Sequence, residues 1–286
     1  MVIHFFKSRR EERINFVELY DEYFDKMDNV SIVNDEDVSS ITINMVDFNF
    51  SYRYLITKRS RVTSIYKLNS DYVNVNMLVE IPLNIPQFLI RTILQQVDEM
   101  CKRFGLAIYY DQIDNIREFR LFDMLQAMLK ERNKYLESHP EIVKYKLPEE
   151  KLSHVCLYQK IIKDLPGIVK ADFMANPYMI LLNKNTGKVE LCLNWKLGEQ
   201  TVLPPNLDYV QIEEEENLVN LIPFDTFMYY AGSYTSEIKD TQSPIRLLFL
   251  NERGAYKTSR YIRRMRKYYV DSSCYDVIKL INLIEE

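Results

Sequence analysis

The clearest pattern of apolar and polar positions lies between Tyr72 and Asp111. Apolar side chains alternate with polar ones from Val73 to Ile81, a period of two that predicts a half-buried strand. From Leu89 to Phe104 the apolar residues recur every three to four positions, which predicts a helix with one apolar stripe. Gly105 ends that helix and a short apolar strand follows. The pattern therefore predicts a strand-helix-strand unit over residues 72–111.

The alternation upstream of this unit changes parity. Apolar residues occupy odd positions from Ile41 to Met45 and even positions from Val46 to Ile56. Such a switch indicates a β-bulge, in which one extra residue re-aims the side chains that follow. A tight turn near Asp47 or Asn49, joining two shorter strands, explains the same pattern.

The second half of the chain gives a hairpin signal and two helical signals. Residues 178–195 contain two apolar runs around the turn sequence NKNTG, with glycine where a positive φ is needed, and so predict a β-hairpin. The apolar spacing near the end of the chain predicts two terminal helices, at about Lys257–Tyr269 and Ser273–Ile284.

These elements together predict an α+β fold in two domains, each with a mostly antiparallel or mixed sheet and flanking helices. The regular strand-helix alternation of a doubly wound fold is missing. Residues 138–150, with the sequence SHPEIVKYKLPEE, have the composition of a linker. We therefore expect an N-terminal domain at 1–147, centred on the 72–111 unit, and a C-terminal domain at 148–286.

Composition adds the expected environment. The 286 residues are 47% hydrophobic and 27% charged with a net charge of −4, values typical of a soluble globular protein. No stretch approaches 18 uninterrupted apolar residues, so no membrane contact is expected. The four cysteines are widely spaced, which favours reduced thiols over disulfides or zinc ligation. The expected location is the cytoplasm.

Motifs for catalysis and cofactor binding are missing from the sequence. No two of the six glycines lie within nine residues of each other, which excludes a phosphate-cradling loop. His154 and Cys156 share a predicted helix but point about 200° apart. Glu213–Glu216 is typical of a solvated turn, and the Glu237-Ile-Lys239 match to metal-dependent nucleases is short enough to arise by chance. We expect no catalytic residue, no metal site and no cofactor.

One segment stands out by charge. The sequence KTSRYIRRMRK at Lys257–Lys267 carries six positive charges and no negative ones inside an acidic protein. As a helix over 257–269 it places apolar and tyrosine side chains on one side and cations on the other. Arginine dominates, and its planar fork suits phosphate or carboxylate. The candidate anion-binding or acidic-partner residues are Lys257, Arg260, Arg263, Arg264, Arg266 and Lys267.

The same cations have a purely structural interpretation, since they could be solvated or pair with Glu213–Glu216. Tyrosine is abundant, and the pairs Tyr109-Tyr110, Tyr229-Tyr230 and Tyr268-Tyr269 could serve as stacking platforms for bases. Tyr52-Arg53-Tyr54 would resemble a single-strand binding surface if it were exposed. Half-buried strand positions are the commoner explanation of such tyrosines.

Three functional hypotheses follow. The first is a non-enzymatic cytoplasmic protein that acts through protein–protein interaction, with a protein partner or a second copy of itself. The second is nucleic-acid binding through the basic amphipathic helix 257–269. The third is an enzyme whose site is assembled from scattered acidic residues.

Overall fold

The structure is a computed structural model that describes residues 1–63, 65–171, 173, 175–213, 219–239 and 243–286. The side chains at 213, 219 and 220 are outside that description. The chain divides into two compact units, Met1–Val143 and Lys144–Glu286. Each unit combines helices with sheets whose neighbouring strands are mostly antiparallel, so the expected α+β fold class is confirmed.

The first unit is built on a seven-stranded sheet with the strand order β2-β3-β4-β5-β1-β6-β7. Every neighbouring pair in this sheet is antiparallel. The strands are β1 Val2–Ser8, β2 Val30–Asn34, β3 Val38–Met45, β4 Phe50–Thr57, β5 Tyr72–Glu80, β6 Leu106–Tyr109 and β7 Arg117–Glu118. The helices are α1 Phe16–Leu19, which continues as a π turn at Tyr20–Phe24, α2 Gln87–Phe104 and α3 Leu121–Ser138.

The strand-helix-strand prediction is confirmed as β5, α2 and β6. Both strands pair with β1, which lies between them, so α2 crosses over β1 and buries its apolar stripe. Gly105 ends α2 with φ +62°, a conformation that glycine adopts without steric cost. A hydrogen bond also connects α2 to the sheet, because the side chain of Gln96 in α2 accepts a hydrogen bond from the hydroxyl of Tyr52 in β4.

The parity switch near residue 46 marks a turn. β3 ends at Met45, Val46–Phe48 form a 3₁₀ turn, and Asn49 takes the left-handed conformation with φ 56° before β4 begins. Asparagine tolerates this conformation better than most residues. The turn therefore explains the pattern, and the alternative of a bulge in one long strand is wrong.

The second unit has more elements of shorter length. Its strands are β8 Tyr145–Leu147, β9 Tyr178–Asn183, β10 Val189–Lys196, β11 Thr201–Leu203, β12 Tyr209–Glu213, β13 Val219–Pro223, β14 Thr235–Glu237, β15 Leu248–Leu250, β16 Val270–Asp271, β17 Tyr275–Ile278 and β18 Leu283–Glu285. Its helices are α4 Glu149–Ile161, α5 Leu165–Val169, α6 Phe224–Ala231, α7 Glu252–Ser259 and α8 Ile262–Met265. β9 and β10 form an antiparallel hairpin over the residues for which one was predicted.

The largest sheet of this unit has the order β16-β13-β12-β10-β9-β17. Only residues 272–274 separate β16 from β17, and four residue steps reach at most about 15 Å. In a flat six-stranded sheet these two edges would lie about 24 Å apart. The sheet must therefore close on itself, so that 270–278 is one interrupted strand that completes a barrel with β9, β10, β12 and β13.

The side chains that pack together confirm which face is inside the barrel. Leu181, Cys192 and Leu221 come from three different strands and form one buried cluster, and half-buried Tyr209 and Tyr275 pack against it. The hydroxyl of Tyr275 donates to that of Tyr209 at 3.2 Å, although their strands are not neighbours. The other face of β10 carries Leu191, Leu193 and Trp195, all fully buried, and forms the core outside the barrel.

Both helices predicted at the end of the chain differ from the structure. Residues 273–284 contain β17, a 3₁₀ turn at Leu280–Asn282 and the start of β18. β17 pairs with β9, and β18 pairs in parallel with β8. β-Branched residues are dense in this segment and suit strands, so tertiary pairing overrides the helical spacing. Lys144–Leu147, placed in the first domain by the sequence, belong to the second compact unit because of this pairing.

Among the described residues, no helix is both long enough and apolar enough to cross a membrane.

Candidate functional site

The basic segment Lys257–Lys267 does not form the single helix over 257–269 that its spacing predicts. α7 ends at Ser259, Arg260 and Tyr261 form a turn, and α8 is followed by a 3₁₀ turn at Arg266–Tyr268. The Ser259 hydroxyl donates to the carbonyl of Ala255 at 2.8 Å, a back-bond of the kind that bends helices. The backbone N–H of Tyr261 then bonds to the carbonyl of Thr258, three residues back, which tightens the turn.

The broken path still separates apolar from basic side chains. Ile262 and Met265 are buried, and Thr258 is buried beside them. Lys257 is half-exposed and the other five cations are exposed. We call the six the basic surface: Lys257, Arg260, Arg263, Arg264, Arg266 and Lys267.

Most of the basic surface has no acidic partner among the described residues. In the part of the chain that the structure describes, no carboxylate lies within ion-pair distance of Lys257, Arg260, Arg263, Arg264 or Lys267. Arg266 makes an interaction within the protein. Other exposed cations do have partners, such as Lys102 with Asp98 at 2.7 Å. Five neighbouring cations with no carboxylate partner among the described residues create a local positive field from that part of the chain, despite the negative net charge.

The residues Glu214–Glu216 of the glutamate run lie outside the described residues, as does the side chain of Glu213. Their predicted pairing with the basic surface therefore stays a prediction. The backbone gives one relevant fact, because β13 follows the run and pairs with β16, which follows the basic segment.

Tyrosine rings adjoin the basic surface. The guanidinium carbon of Arg264 lies 5.3 Å from the centroid of the Tyr261 ring, and Lys267 Nζ lies 4.9 Å from that of Tyr268. Tyr261 also stacks on Tyr230 of α6, with ring centroids 5.3 Å apart and planes at 28°. Tyr229 meets Tyr230 edge to face at 5.0 Å. Tyr229, Tyr230 and Tyr261, which we call the tyrosine row, thus join α6 to the basic segment.

Comparison of the chain with protein-family models, with curated proteins and with solved structures gives no match.

The other tyrosines named from the sequence occupy different environments. Tyr52 and Tyr54 are buried in the first unit, and Arg53 between them pairs with Glu80 at 2.5 Å. They cannot form an exposed stacking surface. Of the pair Tyr109-Tyr110, the second ring is buried and its hydroxyl accepts a hydrogen bond from Arg117 at 2.7 Å.

The candidates for catalysis are already engaged in structural contacts. His154 bonds to the side-chain amide of Asn206 at 2.7 Å, and Cys156 is fully buried. The Glu237 carboxylate pairs with Arg246 at 3.1 Å. Among the described residues, no three His, Cys, Asp or Glu side chains come close enough to hold a metal ion.

A cavity of about 750 Å³ in the second unit is one of the clefts that acidic residues line. Glu199 and Glu252 both contribute to its wall, together with Lys163. Glu199 Oε1 forms an ion pair with Lys196 Nζ at 2.6 Å. Of the two carboxylates, only that of Glu252 has no ion pair among the described residues. The described residues of this wall therefore do not include two unpaired carboxylates.

Sequence reasoning missed three buried charged groups of the described chain, Arg132, Glu285 and Glu190 on β10, and of these Glu190 lies in the barrel. The residue is only 8% exposed, lies on the inner face of the barrel near Tyr275 and pairs with Lys188 at 3.0 Å. Burial raises the pKa of Tyr275 above its usual range, and the neighbouring Tyr209 hydroxyl and Glu190 carboxylate act in the same direction. The signal available in the sequence was a glutamate at an inward position among Val, Leu and Cys.

Proposed function

We propose that the protein binds nucleic acid through the basic surface. The observation that carries this proposal is the lack of any described acidic partner for five of the six exposed or half-exposed cations. Cations on neighbouring turns repel one another, and a bound polyanion would remove that repulsion. Four of the six are arginines, whose fork binds two phosphate oxygens at once.

The size of the surface supports a site for a phosphate backbone rather than for a single anion. The cations extend from α7 through α8 into the following 3₁₀ turn, over eleven residues. Each lysine or arginine that neutralises a phosphate releases counterions, so affinity falls with salt. With six contacts to a single strand, the logarithm of the binding constant should change by about −4 per tenfold rise in salt.

The test is fluorescence anisotropy with a labelled oligonucleotide of about 16 nucleotides, titrated between about 50 and 200 mM salt. The triple variant Arg260→Gln, Arg263→Gln, Arg264→Gln should reduce the salt dependence to about half of the wild-type slope. Over that salt range the wild-type affinity should fall by about 300-fold and the variant affinity by about 20-fold.

The matched control removes three cations that already have acidic partners: Lys58, Lys102 and Arg103, which pair with Asp37, Asp98 and Glu22. Glutamine at these three positions makes the same change in net charge and should leave the salt dependence unchanged. Wild-type protein that shows no binding at about 50 mM salt would refute the proposal. Equal loss in the two triple variants would show that net charge, and not this surface, drives binding.

The hypothesis of a protein partner makes a different prediction for the same surface. An acidic protein would bind to the wild-type chain and not to the triple variant, and the oligonucleotide would bind to neither of these two chains. That result would replace nucleic acid with an acidic protein as the ligand.

A further inference from the structure

The tyrosine row starts on a helix that is anchored by buried side chains and has an exposed end. α6 buries Phe227 and Ala231, which lie four residues apart on one side of the helix. Tyr229 follows Phe227 by two positions and so points to the opposite side, where it is 83% exposed. Large aromatic rings are costly to expose to water, so this degree of exposure is informative.

Ring contacts connect the exposed Tyr229 to the basic surface. Tyr229 is set against Tyr230 at 85°, and Tyr230 is stacked on Tyr261 at 28°. Tyr261 is in turn 5.3 Å from the Arg264 guanidinium, a member of the basic surface. The Tyr229 ring therefore ends a chain of contacts that begins at a candidate phosphate-binding cation.

An exposed aromatic ring beside cations has the chemistry of a stacking platform for bases. Every base has a π face that can stack on tyrosine, whereas cations bind the phosphates. In a duplex the base faces are covered by neighbouring base pairs, so a protein ring can reach them only after unstacking. In a single strand they are accessible.

We propose that Tyr229, supported by Tyr230 and Tyr261, stacks on a base, and that the ligand of the basic surface is therefore single-stranded nucleic acid. This inference rests on the proposed function and adds the strandedness of the ligand. The cations supply affinity that depends on phosphates, and the tyrosine row supplies affinity that depends on bases.

The experiment compares three probes with about the same number of phosphates: a single strand, a duplex of half its length and an abasic single strand of full length. Tyr229→Ala should weaken binding of the ordinary single strand by about 5- to 100-fold and leave binding of the abasic strand unchanged. Tyr229→Trp should restore the affinity, because it retains an aromatic face. The wild-type protein should prefer the single strand to the duplex, and Tyr229→Ala should lose that preference.

The matched control is Tyr66→Ala in the first unit. Tyr66 is 79% exposed and its ring lies 5.8 Å from Lys67 Nζ, so it reproduces an exposed tyrosine beside a cation without a tyrosine row. Its replacement should leave all three affinities unchanged. Folding of each variant is monitored by far-ultraviolet circular dichroism, because Tyr229→Trp adds a second tryptophan and Tyr66 belongs to the unit without Trp195.

The outcomes separate the two proposals. Equal loss of the ordinary and abasic strands in Tyr229→Ala, or no loss of either, would overturn the stacking inference while the arginine variants still test the basic surface. Wild-type binding that favours the duplex would overturn it as well. Lack of binding to all three probes would overturn the stacking inference together with the proposed function.

Discussion

Phe227 anchors α6 to the outer face of the barrel, and its removal gives the most direct test of that packing. The Phe227 ring is fully buried and meets Trp195 of β10 edge to face, with centroids 5.1 Å apart. Trp195 is itself fully buried, and its indole N–H donates to the carbonyl of Glu199 at 2.8 Å. Phe227→Ala would remove one ring of the pair and leave a cavity beside the other.

The expected cost follows from these contacts. Replacing a buried phenylalanine by alanine costs about 3–5 kcal/mol, a range that includes lost transfer energy and the cavity left behind. An edge-to-face pair contributes about 0.5–1.5 kcal/mol beyond its buried area, which places Phe227 toward the upper end. With a urea dependence of about 2 kcal/mol per molar, the unfolding midpoint should fall by about 2 M.

The assay is urea unfolding followed by Trp195 emission, which reports on the second unit because Trp195 is the one tryptophan. Tyr256→Ala is the control, since this side chain in α7 of the second unit is 61% exposed and its loss should change stability by about 0.5 kcal/mol or less. Phe227→Leu, which retains more of the volume, serves if the alanine variant does not fold. A midpoint shift below about 0.5 M for Phe227→Ala would refute the proposed packing of α6 on the barrel.

Three further predictions concern other parts of the chain. Cys274 is half-exposed while the other three cysteines are buried, and burial raises the pKa of Cys192 to about 12. A thiol reagent should therefore modify one thiol per folded wild-type chain, four thiols per wild-type chain in urea, and none in the folded Cys274→Ser variant. Rapid labelling of more than one thiol in the folded wild-type protein would contradict this prediction. Burial lowers the pKa of His4 below its usual 6.5, so the unfolded chain takes up a proton first as the pH falls. The stability of the first unit should then be highest above pH 6.5 and decline as the pH drops through the folded pKa of His4. Unfolding curves recorded by circular dichroism at several pH values check this prediction. If the same dependence of stability on pH persists in His4→Gln, groups other than His4 cause it. Replacing Glu213–Glu216 by glutamine should raise oligonucleotide affinity by about threefold or more at low salt, because it removes four negative charges that precede β13 in the sequence. An unchanged affinity at about 50 mM salt would show that the run does not affect the basic surface.

The spacing of apolar residues predicted those elements that are determined by residues close together in the sequence. The β5-α2-β6 unit has one unambiguous period in each part and a glycine stop, so its sequence spacing was sufficient. The hairpin of β9 and β10 was equally predictable, because its turn residues specify the connection. Segments whose apolar residues fit two periods were not predictable. Residues 273–284 are an example, since their pairing with β9 and β8 decides the outcome.

The candidate site was predictable in composition but not in shape. Charge alone singled out the six cations, whose side chains are exposed or half-exposed in the structure. The interruption at Arg260–Tyr261 depends on hydrogen bonds that the spacing of residues does not encode. Contact between Tyr230 and Tyr261 needs the packing of α6 near α7, across 31 positions of sequence. No local pattern could have joined those two rings.

The closure of the barrel by residues 270–278 has a consequence for the order of events during synthesis. The strand that completes the barrel is translated after all its partners, and β18, translated later still, pairs with β8 at the start of the same unit. Pairings this distant in sequence form slowly. Until they form, the edges of β9 and β13 lack their partners and can pair with another chain. Nascent chains of this protein should therefore be most prone to aggregate, and most dependent on chaperones, while residues 270–285 are still inside the ribosome.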